Sequence, residues 1–269
     1  MNRGRDRTRR TGKSGFGVAR NLQAAAVIVG MFAVWEAAVR IFDIPEYVLP
    51  SPISAVDHLI FRQPDANYDW PLQIRTTALE VGISFFATAL AGFAIAIAMS
   101  WSKLIRDILL PLFVFVNSLP LIAIAPILLI WVGYGLKLNV LIAFLVSFFP
   151  VVINTAAGME AVDEDLLDLV RYLNASTFQV FVKIRIPNSL PYIFSGLKIC
   201  STMCIMGVVV GEFIASDRGL GYIIINSQYT MDIPPVFSSL IVVSLLGAAL
   251  YGVVALLEKI LMPWRRAGE

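Results

Sequence analysis

Few residues in this 269-residue chain have both the type and the spacing for chemistry. Gly12-Lys13-Ser14 ends like a phosphate-cradling loop, but that motif needs a glycine five positions before Gly12, and Arg7 stands there. Gly219-Leu220-Gly221 opens like a dinucleotide fingerprint, and Ile224 occupies the place of its third glycine. Cys200 and Cys204 share a helix face, yet with the single His58 they offer no zinc set, no disulfide framework and no base–nucleophile pair. They read as small packing residues. Four charged residues interrupt apolar stretches, where a charge would suit ion coupling. Glu36 and Arg40 stand four apart in the favourable order and neutralise each other. Lys198 and Glu212 lie near opposite ends of one stretch and are expected to snorkel to the interfaces, with Glu212 the one to test. No catalytic residue, no metal site and no cofactor bound by this chain is expected.

The elements that must carry these residues follow from composition. Apolar types make up 58% of the chain and charged types 15%, with mean hydropathy +0.78; a soluble domain has about 45–50% and 25%. The runs 81–102, 108–136, 138–159 and 233–257 contain no Asp, Glu, Lys or Arg, and each exceeds the ~20 residues a helix needs to cross a bilayer. Barrel strands would alternate apolar and polar residues, which these runs do not. The fold class is therefore all-α and polytopic. Ala24–Phe42 and Pro191–Ala215 are weaker spans, which brings the expected number to six.

Charge orients the six. The tail before the first span carries Arg3, Arg5, Arg7, Arg9, Arg10, Lys13 and Arg20 against Asp6 alone. The positive-inside rule puts it in the cytoplasm, and an even number of spans returns the C-terminus there. This threading leaves sixteen basic residues on the inner side and four (Arg62, Arg75, Lys137, Arg218) on the outer, with Arg40 at the outer end of span one. Ile44-Pro45-Glu46-Tyr47 is no signal-cleavage site, so the first span is a retained anchor and the tail a disordered topogenic segment rather than a nucleic-acid arm. The expected organisation is a basic tail (1–23), an anchor (24–42), a Pro-rich outer loop (43–75), a membrane domain (76–262) and a short cytoplasmic end (263–269).

Several features bear on packing. The uncharged run 108–136 would be ~44 Å long as one helix, too long for a straight crossing. Pro111, Pro120 and Pro126 are expected to break it into a short interfacial piece and a kinked span. Ala87, Ala91, Ala94 and Ala98, and the pair Gly207 and Gly211, permit close helix approach, either within the bundle or at a dimer contact.

The stretch between spans four and five, 160–191, is too long for a connector, which needs 2–8 residues. Asp163-Glu164-Asp165 suits a helix N-terminus, and Asn174 tolerates the left-handed conformation that ends a helix. Ser176 and Gln179 have the spacing of a capping box. The second helix is expected to end before Pro187, with Asn188-Ser189 capping span five and Pro191 in its first turn. An ordered helix–turn–helix on the membrane face is a docking surface.

This loop resembles that of the permease subunits of ATP-binding-cassette importers, whose pattern is Glu-Ala-Ala, three residues, Gly, nine residues, Ile-x-Leu-Pro. Asp168-Leu169-Val170, Asn174 and Ile184-Arg185-Ile186-Pro187 keep that spacing with substitutions. The resemblance runs from about Ser100 to Arg266 and includes Pro120 to Pro126, Trp131-Val132-Gly133-Tyr134-Gly135, Phe148-Phe149-Pro150, Asn154-Thr155, Gly158, Val209 to Ile214 and Gly219-Leu220-Gly221-Tyr222. It is similar to the nitrate, sulfonate and taurine branch, which also serves thiamine-precursor pyrimidines and riboflavin. The resemblance implies a second permease copy, forming a homodimer in the lipid bilayer. It also implies two cytoplasmic ATPase subunits holding ATP and Mg, an external solute-binding protein, and no nucleic acid. The coupling residues it implies are Asp168, Leu169, Val170, Arg171, Tyr172, Leu173, Asn174, Ala175, Phe178, Ile184 and Pro187. Candidate path or gate residues are Pro120, Pro126, Phe148, Phe149, Asn154, Gly207, Gly211, Glu212 and Gly221. Competing readings are an ion-coupled secondary transporter or channel, for which neither an ion-ligand ladder nor inverted repeats are found, and a non-transporting scaffold. Aromatic and aliphatic residues such as Tyr134, Phe148 and Phe149 lean the substrate toward a small aromatic or heterocyclic solute rather than a bare inorganic anion.

Overall fold

The computed structural model describes residues 12–60 and 68–263, all of whose regular elements are helical. The basic tail up to residue 11, with Arg62 and the C-terminal end beyond 263, lies outside the described residues. In order the helices are α1 (Gly12–Ile41), α2 (Pro52–Ile60), α3 (Trp70–Trp101), α4 (Lys103–Ser118), α5 (Leu121–Val132), α6 (Leu136–Glu160), α7 (Glu164–Tyr172), α8 (Thr177–Val180), α9 (Ile186–Ala215), α10 (Leu220–Tyr229) and α11 (Pro234–Leu261). A π-helical turn, Phe181–Arg185, joins α8 to α9. Among the described residues, four helices are long and apolar enough to cross a membrane: α3, α6, the continuous rod 177–215, and α11. The pair α4–α5, bent by 99°, makes a fifth if it is one broken span. The expected first span falls on α1.

Helix α3 shows how these residues meet a bilayer. Asp69 caps it by accepting the Leu72 N–H at 3.3 Å. Phe86 and Leu90 point outward, 73% and 74% exposed, while Gln73, Thr77, Glu80, Ser84 and Thr88 are buried. This arrangement, apolar outside and polar inside, is the opposite of a soluble helix and suits lipid as the solvent. At its end Ser102 closes α3 and opens α4, accepting the Ile105 N–H at 3.4 Å.

Of the three prolines in the long uncharged run, only Pro120 breaks it. Pro111 and Pro126 remain inside α4 and α5, and the chain turns at Leu119-Pro120. The residue before a proline is driven to extended backbone, and Leu119 has ψ 134°. The glycines Gly133 and Gly135, with φ of 83° and 88°, then reverse the chain into α6.

The centre of the bundle is the pair α6 and α9. A Cβ on Gly207 would fall 2.4 Å from the Cα of Ala143, and one on Gly211 would fall 2.7 Å from Asn139 Oδ1. Both glycines thus serve close packing of α6 and α9 within the chain. In the alanine stripe of α3, Ala87 and Ala94 are exposed while Ala91 and Ala98 are half-buried. Lys198 does not snorkel: its ammonium pairs with Glu258 of α11. Glu36 and Arg40 pair as expected, at 2.5 Å, and Glu36 also accepts the Ile53 N–H of α2 at 3.3 Å.

Candidate functional site

Two regions hold the sequence candidates. The first is a buried polar joint where α3, α6 and α9 meet the start of α10. Glu212, expected at an interface, is fully buried. Its Oε1 accepts the Thr77 hydroxyl at 2.6 Å and its Oε2 accepts the Gly221 N–H at 2.6 Å. Thr77 in turn accepts the Leu220 N–H at 2.8 Å, and Gln73 Oε1 accepts the Gly219 N–H at 2.5 Å. Three consecutive backbone donors at the head of α10, which no carbonyl of its own helix can serve, are thus satisfied by side chains of two other helices. Asn139 of α6 extends the joint, donating to both oxygens of Glu80 at 3.1 and 2.9 Å and to Ser216 Oγ at 2.8 Å. The Glu80 and Glu212 carboxyls face each other. Gly219 has φ 107°, and a Cβ there would lie 2.1 Å from Glu212 Oε1, so both backbone and space demand glycine.

Glu80, Gln73, Thr77 and Asn139 are absent from the sequence candidates. Glu80 immediately precedes the uncharged run 81–102. The polar series Gln73, Thr77, Glu80, Ser84, Thr88, spaced three and four apart on an apolar helix, is the signal that finds it.

The second region is the loop 160–191. Asp163 opens α7 by accepting the Asp165 N–H at 2.9 Å. The helix closes with Asn174 at φ 55°. The Asn174 N–H bonds the Arg171 carbonyl and the Ala175 N–H bonds the Val170 carbonyl, both at 3.0 Å, which is the Schellman closure. Both halves of the capping box form: the Ser176 N–H donates to Gln179 Oε1 at 2.9 Å and the Gln179 N–H to Ser176 Oγ at 3.3 Å. Beyond it the expectation fails. The second helix does not end before Pro187 but runs on through the π turn into α9. A proline has no N–H and its ring crowds the carbonyl four residues back; the wider π turn just ahead of Pro187 accommodates it. Asn188, freed from capping, donates to the Gly158 and Ala161 carbonyls at the end of α6, at 3.4 and 3.2 Å. Pro191 lies inside α9.

The loop leaves its apolar residues bare. Leu169, Leu173 and Phe178 are exposed, and Tyr172 is 87% exposed. Asp168 and Arg171 pair at 2.8 Å, Ala175 and Ile184 are half-buried, and Pro187 is exposed. Among the path candidates, the structure brings Glu212 and Gly221 together, and sets Pro120 beside Gly207 in an apolar cleft of about 310 Å³ that also touches Ile122 and Met206. Phe148 instead joins Phe113 and Phe144, with ring centres 5.2 and 5.0 Å away. Asn154 turns back to its own helix, donating to the Pro150 carbonyl at 2.8 Å. Pro126 is exposed and Phe149 half-buried.

The described residues form an all-helical bundle with several membrane-length apolar helices and a helical loop between α6 and α9. Residues 88–262 match the family of binding-protein-dependent transport system inner membrane components, and the chain belongs to that family. It is 29% identical over 245 residues to the formylaminopyrimidine transport permease protein ThiX of Halalkalibacterium halodurans, covering 91% of this chain and 96% of that one. A probable ABC transporter permease of Haemophilus influenzae is 32% identical over 84% of this chain and 91% of its own. The putative aliphatic sulfonates transport permease SsuC of Bacillus subtilis is 28% identical over 97% and 93%. The inward-facing MetNI methionine ABC transporter shares the fold, with TM-score 0.53 and 18% identity over 68% of this chain and 93% of that one.

Proposed function

We propose that this chain is the six-span permease of an ATP-driven importer, with both termini in the cytoplasm, and that it forms the solute path as a homodimer. The loop 160–191 docks on a separate ATPase subunit that holds ATP and Mg and transmits its closure. An external binding protein delivers the solute. The observation that carries this reading is the bare apolar surface of α7 and α8, with Leu169, Tyr172, Leu173 and Phe178 exposed. On a membrane protein such side chains at the end of the bundle, beside the charged residues Asp163, Glu164, Asp165 and Asp168, are placed for a soluble partner rather than for lipid. The solute class favoured is a small aromatic or heterocyclic compound, in keeping with the names of the formylaminopyrimidine relative and of the riboflavin permease RibX of Chloroflexus aurantiacus, 27% identical. The test is to purify the chain with its ATPase subunit and follow uptake in vesicles. Uptake should stop when that subunit cannot hydrolyse ATP, and Leu169→Asp with Tyr172→Asp should strip it from the complex. Uptake that persists without hydrolysis would overturn the proposal.

A further inference from the structure

We infer that the cleft between the end of α3, the α7–α8 turn and the π turn binds a phosphate group, carried there by an anionic phospholipid. The cleft has a volume of about 270 Å³, and its described lining contains two guanidinium groups, Arg171 and Arg185, and no carboxylate. The two come from different elements, and neither is held in a buried ion pair. Arg185 makes one long bond, from Nη1 to the Ser100 carbonyl at 3.4 Å, and among the described residues no carboxylate lies within 4 Å of it. Arg171 pairs only with Asp168 three residues back, where the side chains are 75% and 61% exposed, so the bond is easily exchanged. Ser100 Oγ is buried in the wall without a hydrogen-bond partner, and the Thr177 hydroxyl lies at the same cleft. A buried hydroxyl without a partner costs free energy that an acceptor oxygen would recover.

Two arginine forks and two hydroxyls around a small volume are suited to a tetrahedral oxyanion. The depth selects a lipid. Trp101 and Phe181, with ring centres 5.4 Å apart, form the apolar wall, and Trp101 ends a membrane helix at the side where the basic residues Lys103 and Arg106 follow. Indoles favour the headgroup level, and basic pockets between spans on the inner side hold anionic headgroups. Because the wall belongs to α3 and to the π turn that leads into α9, while Arg171 belongs to α7, a bound phosphate would pin the loop helix to the bundle.

The purified full chain in a neutral detergent tests this through its melting midpoint, titrated with phosphatidylglycerol, with phosphatidylcholine and with inorganic phosphate. Phosphatidylglycerol should raise the midpoint and phosphatidylcholine should not. Arg185→Gln should weaken the apparent affinity roughly tenfold, since it removes charge-assisted hydrogen bonds. Arg218→Gln, an exposed charge elsewhere, should leave it unchanged. Should Arg185→Gln not fold, Thr177→Glu places a carboxylate in the cleft at a helix start that tolerates it, and should abolish the response. A full response to inorganic phosphate alone keeps the phosphate site and assigns its source to solution. Equal responses to the two lipids, or an unaltered response in Arg185→Gln and Thr177→Glu, would overturn the site. So would loss of the ATPase subunit from Arg185→Gln with the lipid response intact, which would give the cleft to a partner's carboxylate.

Discussion

The carboxylate of Glu212 accepts the backbone N–H of Gly221, nine residues on, at 2.6 Å, and a Cβ placed on Gly221 would fall 2.8 Å from the Glu212 Cβ and 2.8 Å from the Val209 carbonyl oxygen. Neither obstacle is the free end of a flexible chain. The short bond and the missing side chain are two aspects of one contact, which holds the head of α10 against α9.

Gly221→Val should therefore force α10 away from α9. Overpacking of this kind costs about 1–3 kcal/mol, and the melting midpoint of the purified protein should fall by roughly 5 °C. Transport should slow while the ATPase subunit stays bound. An unchanged midpoint and normal transport would show that the contact is not tight.

Truncating the acid tests the other side of the same contact. Glu212→Ala leaves the Gly221 N–H and the Thr77 hydroxyl without their acceptor, in a place water does not reach. Each orphaned donor costs about 1–3 kcal/mol. Glu212→Gln keeps an acceptor for the Gly221 N–H but turns its amide toward Thr77, whose hydroxyl must then accept instead of donate, so it should lie between wild type and Ala. Thermal melts of the three proteins give the order, and Ala and Gln variants as stable as wild type would refute it.

How much of this joint was legible depends on the residue. Gly219 and Gly221 stood out as a Gly-x-Gly turn, and Glu212 as a charge in an apolar run, but their meeting with α3 was hidden because helix-to-helix register is not written locally. Glu80 carried no signal of its own, since one charge next to an apolar run marks a boundary as readily as an interior. The loop was legible as far as Gln179, because caps and turn residues act within a few positions. It became illegible at Pro187, where a π turn, which no single residue type announces, lets a helix continue past a proline. The charge map likewise read Lys198 as a snorkelling residue because its partner Glu258 lies sixty residues away on α11.

Gly207 tests the central pair. A Cβ there would come within 2.4 Å of the Ala143 Cα and 3.0 Å of its backbone nitrogen. Gly207→Leu should push α6 and α9 apart and lower the yield of monodisperse protein. Gly207→Ala should also be harmful, and Ala143→Gly should not rescue it, because the nearest obstacle is backbone and remains. Rescue by Ala143→Gly would mean that side-chain contact alone had set the spacing.

The last prediction concerns Asn174, where the chain leaves α7 at φ 55°. Asn174→Gly should be tolerated, since glycine adopts this conformation without a Cβ clash, and Asn174→Val should not, because a β-branched residue there is strained by roughly 1–3 kcal/mol. The strain falls on a local closure: the bonds from the Asn174 and Ala175 amides to the Arg171 and Val170 carbonyls would open, and α7 would lose its fixed angle to α8. Insertion should be unaffected, because no span is altered. The defect should show as a permease that releases its ATPase subunit in detergent, or that keeps it and hydrolyses ATP without moving solute. Tyr172→Ala, which removes an exposed side chain and leaves the turn intact, should give a smaller loss. Equal transport by the Gly and Val variants would show that the loop tolerates a different turn, and that the angle between α7 and α8 does not carry the signal.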